Sequence, residues 1–166
     1  DALSNRSTMT RTYLRDHLTS EVAERLELAD SKAPIAWGGE GKAPDAAPAG
    51  AATFFDYVEV LPGIDVFRVP GHTWGQQAVR VRGADGQTVV FTPDVMPTVH
   101  HASGPYSMAY DVEPYVSGLM RAKYLETAAA EGWTLAIDHE PDTPLVRVEP
   151  NLDRPGSWML TPVGCG

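Results

Sequence analysis

The sequence predicts an α/β layered fold, on three observations. Two apolar, β-branched runs, Gln77–Arg82 and Thr88–Thr92, flank a short turn bearing Gly83 and Gly86, the pattern of a β-hairpin. Two helix-period stretches, over residues 7–30 and 111–131, are interleaved with groups of such runs. Alternation of this kind packs helices on a sheet, in layers.

The elements follow in chain order. Over residues 7–30, Leu14, Leu18, Val22 and Leu26 recur every four residues, while Arg11, Arg15, Glu21, Glu24 and Arg25 take other faces. That spacing predicts an amphipathic helix packed on a sheet, with His17 off the apolar stripe and solvated. Residues 30–52 are rich in Gly, Pro and Ala without periodicity and are expected to form a long surface loop. A lid and a tolerated insertion both fit a loop of that length. Two strands are expected over 57–61 and 64–69, turned by Pro62-Gly63. The hairpin comes next, and residues 102–110, with Gly, Pro and Ser, form an irregular loop. Asp111 is suited to cap a helix with Pro114 in its first turn, ending at Gly132. Tyr115, Leu119, Ala122 and Leu125 are its expected buried stripe. Strands are expected over 133–137 and 145–148, and residues 150–166 read as a tail with weak signals.

Composition narrows the function. The 166 residues suffice for one domain with its own core, and the apolar share of 43% is that of an ordinary globular protein. A net charge of −9 with no basic cluster excludes a nucleic-acid footprint. No apolar run approaches the ~20 residues of a membrane-spanning helix, so no membrane partner is expected. The single Cys165 has no internal partner for a disulfide and reads as a spectator thiol.

The chemistry-bearing residues cluster at strand ends. Closing the hairpin brings the loop with His72 beside the loop with Asp94, an imidazole and a carboxylate at one sheet edge. Asp138-His139 ends a further strand. Two histidines and a carboxylate suit zinc, iron or manganese. Taken alone, a His after Pro-Gly or an Asp after Pro is more often structural than a ligand.

The run Pro70-Gly71-His72-Thr73-Trp74-Gly75, the hairpin, and Asp94 closing the second strand together resemble the middle of metallo-β-lactamase-fold hydrolases. The continuations Asp94-x-x-Pro97-Thr98-x-x-His101, Met108-Ala-Tyr110-Asp111-x-Glu-Pro114 and Asp138-His139-Glu-Pro141 resemble a lactonase-like branch. The match runs in order from about residue 8 to 148. The resemblance implies a fold, the C-terminal half of a four-layer αβ/βα sandwich, and therefore a partial domain over residues 1–166. It also implies metal ligands: His72 on one metal, Asp94 bridging two, His139 on the second. Two divalent ions are implied, zinc favoured and iron or manganese suited. A metal-bridging hydroxide would then attack a small-molecule lactone, thioester or similar ester. Asp94, His101 and Tyr110 are the implied catalytic residues, and Tyr110 and Asp111 are suited to hydrogen-bond a ligating imidazole or the substrate; equally, Tyr110 fits a core position and Asp111 a helix cap. Trp74 fits either a pocket wall or packing.

Two departures matter. The family's H-x-H-x-D-H signature is absent: the five histidines are His17, His72, His100, His101 and His139, and no H-x-H occurs. A separate N-terminal polypeptide bearing that signature, from a split or cleaved precursor, is therefore the expected partner, with self-pairing of two copies as the fallback. Any export signal would lie in that half; a cytoplasmic location is otherwise favoured. Secondly, Pro97 stands where acyl-homoserine lactonases carry a catalytic Tyr, which leaves the substrate open. A non-catalytic scaffold of the same fold is the competing reading.

Overall fold

A computed structural model describes residues 19–34 and 53–164. The chain divides into two compact units, Asp1–Asp30 and Ser31–Gly166. In the first, the described helix, α1, is the single turn Ser20–Ala23, capped by the Thr19 side chain. The expected helix over residues 7–30 is thus corrected at its C-terminal end; residues 7–18 and His17 lie outside the described residues, as does 35–52 of the expected loop. Val22 and Leu26 are exposed. A helix stripe that buries nothing lacks the tertiary packing that stabilises most short helices.

The second unit is built on a mixed sheet in chain order: β1 (Val58–Leu61), β2 (Ile64–Arg68), β3 (Gln77–Arg82), β4 (Thr88–Thr92), β5 (Thr134–Ile137), β6 (Leu145–Pro150) and β7 (Trp158–Pro162). Every neighbouring pair is antiparallel except β4 and β5. Parallel neighbours need a crossover, and α2 (Pro114–Glu131) supplies it. The first two strands and the hairpin fall within a residue or two of expectation. β7 was not expected; it occupies the sheet edge, where its terminal Pro162 is tolerated.

Alternation decides the faces. Phe67, Ala78, Val90, Leu135, Ile137, Val146 and Val148 point to α2 and are buried with its Met120, Tyr124, Leu125 and Ala128. Rings of Phe55, Phe67, Tyr124 and Trp133 cluster, mostly tilted or edge-to-face, with centroids 4.8 to 6.3 Å apart. At the helix C-terminus, Arg80 lies 3.0 Å from Asp65 and 3.4 Å from Glu131, which ties the helix to the sheet. The inner stripe of α2 differs from expectation. Tyr115 and Ala122 are exposed, Leu119 is half-buried, and Ser117, Met120, Arg121, Tyr124 and Ala128 face inward with Leu125. Two inward polar residues, Ser117 and Arg121, conceal the true face from an apolar count.

The opposite sheet face is also apolar. Register aligns Val81 with Val89 and Val79 with Phe91, and Phe91 with Ala136. Val81, Val89 and Phe91 are 41%, 37% and 45% exposed. These three side chains form an exposed apolar stripe on this face.

Gly71 sets how closely the His72 loop approaches α2. Its φ is +137°, and a Cβ there would lie 2.4 Å from Ser117 Cα. Gly132, at φ +66° with its N–H on Ala128 O, ends the helix with open space around it. Gly132→Ala is therefore expected to cost about 1 kcal/mol, the left-handed penalty alone. Gly71→Ala adds a backbone collision and is expected to cost about 2–4 kcal/mol. Urea midpoints of the two variants check the order; equal losses would contradict the close approach.

Candidate metal centre

β2 and β4 are both antiparallel to β3 and so run the same way, and β5 is parallel to β4. The carboxyl ends of β2, β4 and β5 therefore share one edge, and His72, Asp94 and His139 each follow one of them. Residues 69–76 turn back tightly, with Val69 N–H on Gln76 O at 2.9 Å and Gly71 N–H on Thr73 O at 3.1 Å. The segment entering α2 fixes the turn from behind: Glu113 N–H donates to Gly71 O at 2.9 Å and Val112 N–H to His72 O at 3.1 Å.

The imidazole of His72 is held at Nδ1. Nδ1 lies 2.9 Å from Asp111 Oδ1, and Asp111 Oδ2 accepts the Met108 N–H at 3.2 Å. The Asp111 side chain is fully buried. A buried carboxylate accepting at Nδ1 selects the tautomer whose Nε2 carries the lone pair. Nε2 faces Asp94 Oδ2 at 3.5 Å. Asp111 is thus not a helix cap: the N-cap of α2 is Glu113, without a side-chain bond.

Asp94 follows β4 after Pro93. Its second oxygen, Oδ1, lies 3.1 Å from His139 Nε2. His139 is placed by backbone: Asp138 N–H donates to Thr92 O at 3.3 Å and His139 N–H to Pro97 O at 3.1 Å, extending the β4–β5 contact past the strands. The His139 side chain is 60% exposed and also lies 3.7 Å from Asp138 Oδ2. Glu140 joins the two loops, accepting the N–H of Val99 at 3.0 Å and of Asp142 at 3.4 Å. Val99 first, then Asp142 and Thr143, hold its carboxyl below the usual range by donating to it. The sequence reading gives Glu140 no role; its place directly after His139 is the available signal.

His72, Asp94 and His139 are therefore brought together, but not as one closed set. Among the described residues, no group of three His, Cys, Asp or Glu side chains forms a metal-holding cluster. The geometry says why: the two imidazoles address opposite oxygens of one carboxylate. Each imidazole with its facing oxygen offers two donors, where zinc sites use three or four.

The remaining predicted residues are more peripheral. Tyr110 is 72% exposed, its ring edge-on to His72 with centroids 5.8 Å apart. His101 ends a 3-10 turn, Val99–His101, with Nδ1 2.8 Å from Thr98 Oγ1. No hydrogen bond or ion pair of the described residues joins His101 to Asp94, His72 or His139. His100 is exposed and Trp74 buried.

No protein-family model matches the chain, and no curated protein does. Solved structures do. The hydrolase AbOPH of the beta-lactamase superfamily superposes with a TM-score of 0.56 at 22% identity, over 65% of this chain and 37% of that one. AidC, a dizinc quorum-quenching lactonase solved with its product N-hexanoyl-L-homoserine, gives 0.56 at 14% identity, over 64% and 36%. A probable metal-dependent hydrolase from Staphylococcus aureus gives 0.51 at 22%, over 55% and 32%. The chain thus has the fold of metallo-β-lactamase superfamily hydrolases, and spans little more than a third of the first two.

Burial, then the cations Arg121 and His100, lower the His101 pKa from 6.5. A depressed folded-state value favours the neutral ring, so its contribution to stability is present above the unfolded pKa and is lost as pH falls through the folded one. The NMR titration midpoint of His101 is expected below 6.5, and His101→Asn should lose less stability than wild type between pH 7 and pH 5. A midpoint at or above 6.5 would contradict this environment.

Proposed function

We propose that these residues are the C-terminal portion of a dinuclear metal-dependent hydrolase acting on a lactone, thioester or similar ester. One observation carries the reading: the two oxygens of Asp94 face Nε2 of His72 and Nε2 of His139, while a buried carboxylate fixes the other nitrogen of His72. His72 and Asp94 would hold one divalent ion and Asp94 and His139 the other, zinc being favoured by the nitrogen and oxygen donors. Ions bound there lower the pKa of water towards ~7 and polarise a carbonyl oxygen.

The chain's own residues do the rest. Asp111 keeps the His72 ring oriented, with Nε2 turned towards Asp94. Tyr110, exposed at the edge of His72, offers its phenol to a substrate approaching from solvent. His101, with Nδ1 engaged by Thr98, has Nε2 left to pass a proton to the leaving group. The likeness to AidC supports a lactone among the ester classes.

The missing donors, in this reading, come from an N-terminal polypeptide bearing H-x-H-x-D-H. Three features support that: each ion has two donors here, no H-x-H occurs in the sequence, and Val81, Val89 and Phe91 leave an apolar sheet face for a mate.

The test is mutational, on the assembled protein. Asp94→Ala is expected to remove hydrolysis of acyl lactones and thioesters, at least ~100-fold in kcat/KM, since both metals lose a ligand. Its unfolding free energy should stay within about 1 kcal/mol of wild type. His100→Ala should retain near wild-type turnover. Comparable turnover in the Asp94 variant would leave the scaffold without catalysis through this site.

A further inference from the structure

We infer that Arg121 is the positioning residue of the metal centre: from inside the loop between β4 and α2 it sets the backbone that carries both Asp94 and Asp111. The loop runs over residues 93–113 with one 3-10 turn as its regular structure, yet it holds Asp94, His101, Tyr110 and Asp111. Something other than a strand or helix must fix it.

Arg121 lies on the inner face of α2 and is 0% exposed. Its Nε donates to Val95 O at 2.6 Å. Nη1 donates to Ser103 O at 3.1 Å, to Gly104 O at 3.5 Å and, closer still, to Tyr106 O. Nη2 reaches Ser117 Oγ at 3.4 Å. No ion pair of the described residues includes Arg121, so this buried cation is met by carbonyl dipoles from both ends of the loop. A planar guanidinium with five donors can gather carbonyls in this way, and an ammonium cannot match the fork.

The carbonyls are not arbitrary ones. Val95 directly follows Asp94, so its peptide plane is fixed beside the shared carboxylate. Tyr106 leads into Met108, whose N–H holds Asp111 Oδ2, and Asp111 Oδ1 holds His72. A second observation shows the loop seated on the helix beside Arg121. A Cβ on Gly118 would lie 2.7 Å from Gly104 O, so the loop backbone rests where only glycine leaves room. Arg121 thereby couples the two carboxylates that flank His72, without touching substrate or metal.

The inference rests on the metal-hydrolase reading, and the experiment separates the two. In the full protein titrated with Zn²⁺ against a chromophoric chelator, Arg121→Met is expected to weaken Zn²⁺ binding about 10–100-fold, as for groups behind a metal ligand. It should lower kcat while leaving KM within about two-fold. Arg121→Lys, keeping the charge and part of the donor set, should recover some of both. Met120→Ala, a buried core change next in sequence, should lower the thermal midpoint and leave Zn²⁺ affinity of the folded protein unchanged. Wild-type affinity in Arg121→Met, or an equal loss in Met120→Ala, would overturn the inference. If the Met variant does not fold, the Lys variant decides by the same comparison. If wild type binds no Zn²⁺, the hydrolase reading fails on its own, and amide exchange of Met108 still decides. Faster exchange in Arg121→Lys than in Met120→Ala upholds the positioning role, and equal rates refute it.

Discussion

The parallel pairing of β4 with β5 is the constraint on which the site depends. Among the described strands it is the one joint that is not antiparallel. Antiparallel neighbours end at opposite edges, so in a pure meander Asp94 and His139 would leave the sheet on opposite sides. The crossover through α2 reverses that, and Thr92 pairs with Ile137 so that both chains emerge level. Backbone bonds from Asp138 and His139 to Thr92 and Pro97 carry the alignment two residues further. β2 points the same way because β3 lies between it and β4, which brings His72 to the same edge. Three residues separated by tens of positions thus meet through strand direction alone.

Helix α2 does more than connect. The two residues leading into it, Val112 and Glu113, bond the carbonyls of His72 and Gly71, its middle supplies the core face, and its end is tied to the sheet through Arg80 and Glu131. The loop before it holds Asp111 against His72. One element therefore fixes the ligand loop from behind and the orienting carboxylate from the side. Such supporting contacts decide whether a metal site is merely present or held in productive geometry. The uncovered stripe of Val81, Val89 and Phe91 on the other face is the opposite case, an apolar surface without a described partner element.

Much of this was legible in sequence because it is local. The hairpin announced itself through β-branched runs and a Gly-bearing turn, and Pro62-Gly63 and Gly132 marked real boundaries. His72 and Asp94 could be set side by side from hairpin geometry. His139 could not; only the resemblance linked it, because its position depends on a crossover of some forty residues. Asp111 looked like a helix cap since Asp followed by Pro three positions on is a cap pattern, yet its carboxylate is engaged by His72 and Met108. The face of α2 was misjudged because Ser117 and Arg121 point inward to satisfy a polar loop, which no hydrophobic count reveals. The helix expected over residues 7–30 shows only one turn in its described part, where Val22 and Leu26 are exposed.

The central claim is that one carboxylate serves two metals. Anomalous X-ray scattering at the zinc edge, from crystals of the protein assembled with the proposed H-x-H-x-D-H polypeptide, tests it most directly. The account predicts two zinc peaks, one bonded to His72 Nε2 and one to His139 Nε2, with an oxygen of Asp94 on each. A single peak bonded to both imidazoles, or zinc bound away from Asp94, would contradict it.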